Sequence, residues 1–460
     1  MNYFIGLKIT RYNSNNDSKY AFYFLCLGIL FNLLLLSYFK YSNFFITTIN
    51  AAIDLDWGFY NVILPIGISF FTFQQIAYLV DTASNKTSEH NLLHYSLFVV
   101  FFPQLIAGPI VHHKQMLPQF SNDATYKPAL DNISIGISIF VIGLFKKVII
   151  ADNLALIATP VFDAADAGNT VNFFQASSAV LAYSLQLYFD FSGYSDMAIG
   201  LARLFGVKLP LNFFSPYKAK NIIDFWKRWH MTLSVFLRDY LYLPLGGNRK
   251  GPSRRYVNLM LTMTIGGLWH GAAWTFVAWG ALHGIYIIIN HLWKKIWARS
   301  LEKWWSILLS QLVTFVFVSL AWVLFRAETF SGAMEIYSGL LNLPYGVIEK
   351  AGDIAQFLQY IGFSFSRYDI PFQEIVYLGF LFVILVLLLI LPNTQQLMSN
   401  FQPAYDFEEK NIMFSGKSSG NISRLIFWKP TVIFSIFISG LFVLSFLSLS
   451  HVSEFLYFQF

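Results

Sequence analysis

The chain has 460 residues, is 56% hydrophobic and only 12% charged, and carries 49 Phe, 25 Tyr and 12 Trp. A soluble domain carries roughly 25% charged residues, and apolar stretches near the ~20 residues needed to cross a bilayer recur along this chain. That composition excludes an ordinary soluble enzyme and reads as an all-α polytopic membrane protein, one integral domain over 1–460. The net charge of +6 is therefore read through its placement in loops, which sets orientation, and does not point to nucleic acid. One cysteine, Cys26, lies in an apolar run, so a disulfide framework and a cysteine metal site are both excluded.

Met1 to Lys19 is polar and precedes an apolar run long enough to remain as an anchor, so no cleavable leader is expected. In chain order the expected spans are Tyr20–Phe39, Trp57–Val80, Leu92–Val111, Ile133–Ile150 and Phe173–Leu187. They continue with Tyr256–Trp274, Thr275–Leu292, Ile307–Phe325, Ile375–Leu391 and Thr431–Leu449. Phe189–Leu204 would be an eleventh, although Asp190, Asp196 and Arg203 interrupt it. The longer polar loops, 326–374 and 393–429, read as surface connections.

Between Arg203 and Arg255 stand eleven Lys or Arg against two acids, Asp224 and Asp239. The positive-inside rule puts this stretch in the cytoplasm. Lys294, Lys295, Arg299 and Lys303 return two spans later, and 326–374 holds more acids than bases, as an outer loop would. Within the basic stretch, "IIDFWKRWHMTLSVFLRDYLYLPLGGNRKG" mixes apolar and charged residues without a pure span. Asp224 and Arg228 can pair four apart on one helix face, and Lys227 and His230 three apart. Such a segment lies at the interface or dips inward as a re-entrant element.

"IGGLWHGAAW" places His270 between Gly267 and Gly271, and "GALHG" places His283 between Gly280 and Gly284. Small residues four apart let helices approach closely, which turns both rings toward packed protein. Each histidine reads either as a satisfied structural ring or as a functional one, since an idle polar ring in a membrane is costly. Asp190 and Asp196, six apart, do not share a helix face. They orient helix ends or neutralise Arg203 or Arg238, because a buried unpaired carboxylate is expensive. His112 and His113 are adjacent and chelate poorly from one helix. No HExxH, P-loop or GxSxG motif occurs. No metal site is expected.

Taken together, "FWKRWHMTLSVFLRDYLYLPLGGNRKG" and, 40 residues on between histidines, "IGGLWHGAAWTFVAWGALHG" resemble the membrane-bound O-acyltransferases (MBOAT). The likeness is to the branch of the bacterial alginate and peptidoglycan O-acetyltransferases. "LLLLSYFKYSNFF", "LPIGISFFTFQQIAYLVD", "FFPQLIAGPIV" and "YFDFSGYSDMAIGLARLFG" agree with it, so the likeness covers about 33–326. Only one apolar run precedes "YFKY" where the family has more, and His112 and His113 stand where relatives often carry an arginine.

The resemblance implies the MBOAT fold and catalytic roles for His270 and His230. It also implies a tunnel between cytoplasmic donor and outer acceptor, and placement in a bacterial inner (plasma) membrane. Acetyl-CoA is the implied acyl donor, with no bound cofactor. The implied partners are membrane lipids, a polymer-synthesis complex and a periplasmic SGNH-type acetyltransferase. A neutral histidine acts as general base when a hydroxyl attacks an acetyl thioester. Asp190, Asp196, Arg238, Trp229 and Trp269 are supporting candidates, and Lys227, Arg228, Arg249 and Lys250 are candidates for the donor's phosphates. The alternative from another class is a proton-coupled transporter or a lipid or glycan flippase, for which the usual paired repeats are not found.

Overall fold

The computed structural model describes residues 1–59, 62–88, 90–106, 108–296, 303–344, 353–366, 372–415, 427–449 and 456. Among them nearly all regular structure is helical, apart from a short parallel pair of strands, β1 (Asn342–Pro344) and β2 (Ser364–Ser366). Five helices are long and apolar enough to cross a membrane unaided: Ser18–Ile53, Leu130–Asp166, Trp274–Ile296, Trp304–Arg326 and Phe372–Ile390. The other expected spans are helices that are shorter or carry more charge.

The amino-terminal unit joins α1 (Asn2–Ser14) to α2 (Ser18–Ile53), which contains a π-helical turn at Ser37–Tyr41. Tyr3, Ile5 and Ile9 of α1 pack on Tyr78 and Leu79 of α3 (Ile68–Ala83). Within the described part of the expected span Trp57–Val80 the helix starts at Ile68, where Pro65 and Gly67 (φ 73°) form a turn. Likewise Leu92–Val111 stops as α4 (Leu92–Val100). Phe101 is extended, Pro103 opens a short new turn, and the chain then runs irregularly to α5 (His113–Phe120).

At the centre, α6 (Leu130–Asp166) lies along α7 (Phe173–Leu204). The segments Phe173–Leu187 and Phe189–Leu204, expected as separate pieces, are one helix of 32 residues. Its acids do not end it because each meets a lysine of α6: Lys147 lies 2.8 Å from Asp190 and Lys146 lies 2.7 Å from Asp196. Facing glycines bring the two backbones together. A Cβ on Gly193 would stand 2.7 Å from the Gly143 carbonyl, and one on Gly200 2.6 Å from that of Gly136.

After α7 the chain forms a bent segment, expected as interfacial or re-entrant and called re-entrant below, of α8 (Ile222–Trp226) and α9 (Met231–Leu237), the latter passing into a π-helical turn at Arg238–Tyr242. A hairpin follows: α10 (Gly251–His270), three residues, then α11 (Trp274–Ile296). Gly267 and Gly280 meet at its crossing, where a Cβ on Gly267 would lie 3.0 Å from the Gly280 Cα. Beyond it α12 (Trp304–Arg326) brings Trp322 and Phe325 to the core, and α13 (Phe330–Leu341) leans on the end of α6 through Asp166 and Thr329. Helix α14 (Phe372–Ile390) packs on α7, with α15 (Phe407–Ser415) and the apolar α16 (Val432–Leu447) following. Arg299 and parts of both long loops lie outside the described residues.

Candidate active site

His230 sits at the bend between α8 and α9, fully buried, with φ 41° and ψ 54°. That left-handed conformation is uncommon for a residue with a Cβ and costs on the order of 1 kcal/mol. What holds it is Asn212. The Asn212 backbone carbonyl accepts from the Met231 N–H at 2.9 Å, and its side-chain oxygen accepts from the Thr232 N–H at 3.3 Å and from the Thr232 hydroxyl at 2.8 Å. The same oxygen is 3.0 Å from His230 Nδ1. A backbone N–H can only donate, so the Asn212 atom facing it is the oxygen, and Nδ1 of His230 must carry the proton it donates there. Nε2 is then the lone-pair nitrogen, and among the described residues it has no hydrogen-bond partner.

His270 is the last residue of α10; Gly271 turns the chain into extended backbone at φ −149°, ψ 147°. Its ring lies in an aromatic surround of Trp269, Trp279 and Phe325, at centroid distances of 5.0, 5.2 and 5.3 Å. The imidazoles of His230 and His270, 40 residues apart in the chain, stand 6.3 Å apart. Beside His270 is a cavity of about 10 Å³, lined also by Asp190, Phe191, Trp229, Trp322 and Phe325. It has room for about one water centre.

The fold gathers some of the supporting candidates and disperses others. Asp190 and Trp229 line the small cavity, and Trp269 stacks on Phe73 at 4.8 Å while touching His270. The carboxylate of Asp190 does not meet Arg203 or Arg238. It is paired with Lys147, which also holds Asp152 at 2.7 Å. Asp196 is tied up in structure: besides Lys146 it accepts from the Thr394 hydroxyl at 2.7 Å and the Gln395 amide at 2.9 Å. His283 takes the Trp226 indole N–H on Nδ1 at 3.3 Å and packs against Trp279, while His112 meets the Tyr240 hydroxyl at 3.1 Å and His113 the Thr87 hydroxyl at 2.6 Å.

A second space of about 430 Å³ opens beside the re-entrant segment, between its Met231 and Leu237 and the hairpin's Met263 and Ile287. Its basic lining is Lys227, Arg238, Arg255, His291 and Lys410. Of the four residues expected to meet phosphates, only Lys227 lines it. Arg228 is 3.0 Å from Asp224, as its spacing suggests, and lies over the Phe414 ring at 4.3 Å. Arg249 and Lys250 are exposed in the turn before α10. Arg238 reaches the rim but is bound at 2.6 Å to its neighbour Asp239. Arg255, His291 and Lys410 were not singled out by sequence reasoning. The first two carry a usable signal, since 36 residues separate them across a predicted hairpin, and an Arg255 guanidinium nitrogen lies 2.7 Å from the His291 ring.

Comparison with known proteins decides what this arrangement belongs to. Residues 71–327 match the model of the MBOAT, membrane-bound O-acyltransferase family. The chain belongs to that family. The MBOAT match encloses His230, His270, Asn212 and Arg255 but leaves Lys410 outside. The chain is 47% identical over 367 residues to the peptidoglycan O-acetyltransferase of Helicobacter pylori, covering 74% of this chain and 68% of that protein. It is 42% identical over 350 residues to the probable alginate O-acetylase AlgI of Pseudomonas aeruginosa, covering 74% and 64%. Over 290 residues it is 30% identical to the teichoic acid D-alanyltransferase of Bacillus subtilis, covering 59% and 71%. The chain thus spans about two thirds of the length of these relatives. Membership makes this MBOAT protein a multi-pass membrane O-acyltransferase, and the transporter alternative falls away.

Proposed function

We propose that the protein moves an acetyl group from a cytoplasmic thioester, acetyl-CoA, toward a hydroxyl of an extracytoplasmic glycan in a bacterial inner membrane. The observation that carries this reading is the meeting of His230 and His270, 6.3 Å apart inside the helical bundle, beside a basic pocket formed by the re-entrant segment. A hydroxyl is a poor nucleophile until its proton is taken. In the proposed step the hydroxyl oxygen attacks the thioester carbonyl and a histidine accepts its proton. The C–S bond breaks, and the thiolate takes that proton on leaving. Such general base catalysis contributes about 10²–10⁴-fold.

His270 is the proposed catalytic base, with His230 on the same passage. Arg255, Lys227 and Lys410 line the pocket as cations for the donor's phosphates, with a flexible ammonium or a forked guanidinium suiting such anions. The names of the relatives, which act on peptidoglycan or alginate, favour an envelope polysaccharide as acceptor. Relay through an SGNH-type transferase outside the membrane belongs to the same proposal for the acceptor side.

The test is His270→Ala at unchanged amount in the membrane. It is expected to remove ester-linked acetate from the envelope glycans while leaving the quantity of polymer intact. Normal acetate content with a well-expressed variant would refute the role of His270.

A further inference from the structure

The amino-terminal unit meets the end of α10 through polar side chains of α2 and aromatic rings of α3. Lys40, in the π-helical turn of α2, is half-buried and extends its ammonium to the end of α10. There Nζ donates to the Trp269 carbonyl at 2.7 Å and to the His270 carbonyl at 2.8 Å, with the Ser69 hydroxyl at 3.4 Å. Its neighbour Tyr41 donates through its hydroxyl to the Leu268 carbonyl at 2.9 Å. These are carbonyls that a helix end leaves without intrahelical partners.

A cation at a helix C-terminus is favourable, but a lysine inside a membrane protein is expensive. Among the described residues no carboxylate pairs with Lys40, so its counter-charge is the carbonyl end of α10. Helices often end in a left-handed glycine that satisfies these carbonyls, but Gly271 is extended at φ −149°, and Lys40 and Tyr41 take that place. The π-helical turn is also irregular backbone of the kind found at functional sites. It presents Lys40 and Tyr41 together, toward three successive carbonyls ending at His270.

We propose that Lys40 is a positioning residue for the acyl-transfer reaction, fixing the backbone of His270 so that its ring stays aligned with His230. This rests on the catalytic reading of His270 given above. The charge pins the residue that bears the ring, and α2 becomes part of the active site although it holds none of the reacting groups.

The test compares Lys40→Met, Lys40→Gln and Tyr41→Phe in the full-length protein purified from membranes. Two readouts are taken per folded molecule: kcat and KM for acetyl-CoA, and carbethoxylation of His270 by diethyl pyrocarbonate, read by mass spectrometry with His283 as internal reference. Lys40→Met is expected to lower kcat by about 10²-fold with KM little changed, the order expected when reacting groups shift by about 1 Å. Its His270 carbethoxylation rate, taken relative to His283, should shift from that of the wild type, because the released ring presents its nitrogens differently. Tyr41→Phe, which removes a bond to the same helix end one residue before Trp269, should lose melting temperature while keeping kcat. If Lys40→Met does not accumulate, Lys40→Gln retains two N–H donors without the charge and carries the same comparison.

The proposal is overturned by wild-type kcat and carbethoxylation in a folded Lys40 variant. It is equally overturned if Tyr41→Phe loses kcat in step with Lys40→Met, which would make the contact a stability cap only. Because carbethoxylation reports the His270 ring directly, a changed rate alongside full activity in His270→Ala would leave the positioning intact and remove the catalytic reading instead.

Discussion

At His230 the chain adopts a backbone that a side chain ordinarily avoids, and one asparagine keeps it there. Asn212 accepts from His230 Nδ1, from Thr232 N–H and from the Thr232 hydroxyl, and the Thr232 oxygen in turn receives the Ile110 N–H at 3.0 Å. Every bond of this cluster favours one tautomer, with the Nε2 lone pair facing inward. Asn212→Ala removes the acceptor and frees the ring to take the wrong tautomer or rotate. The expected result is a fall in kcat of roughly 10–10²-fold with little change in donor KM, as for loss of an interaction made in the transition state. Asn212→Asp, which keeps the acceptor, should retain most activity. Equal losses in both variants, or a change confined to KM, would count against tautomer control. Both histidines were legible in the sequence, because each sits in a long motif with an unusual polar ring. Asn212 was not: it lies 18 residues before His230 in "LNFFSPYK", and only the bend at His230 brings the two together.

Helix packing turns on glycine, and the sequence shows only half of that. Gly267 and Gly280 could be picked out because they flank histidines, and they do meet at the α10–α11 crossing. The pairs Gly136–Gly200 and Gly143–Gly193 join helices whose glycines carry no local signature; nothing in either segment alone announces its partner. The same reason hid the true length of α7. Asp190 and Asp196 looked like interruptions, yet Lys147 and Lys146 on the neighbouring helix neutralise them. Local reading treats a charge as unpaired until the partner helix is known. Gly193→Val tests the packing: its Cβ would meet the Gly143 carbonyl at 2.7 Å. Overpacking of this kind costs about 1–3 kcal/mol, so the variant should show a lowered melting temperature and reduced amount in the membrane. Gly379→Ala on α14, where a Cβ meets nothing within 4 Å, should be neutral or slightly stabilising, since alanine is the better helix former. Comparable losses in both would remove close α6–α7 approach as the cause.

Across the molecule, the basic stretch from Arg203 to Arg255 includes the bent segment that buries His230. Charge gives only an expected orientation, because lysine and arginine bias operates loop by loop. The basic pocket proposed for the donor was only partly readable. Lys227 and Arg238 line it with Arg255, His291 and Lys410, contributed by the hairpin and by α15. Arg228, which the motif also offered, is spent on Asp224 and Phe414. In the proposed function His230 and His270 form one site fed with thioester from the side of the basic stretch. Release of free CoA from acetyl-CoA, measured in inside-out and sealed right-side-out membrane vesicles, tests it most directly. Release is expected only where the basic stretch is accessible, and it should be lost in both His230→Ala and His270→Ala. The double variant should be little worse than the poorer single one, as for residues acting as a unit. Release from right-side-out vesicles, or independent and multiplying losses from the two histidines, would contradict it.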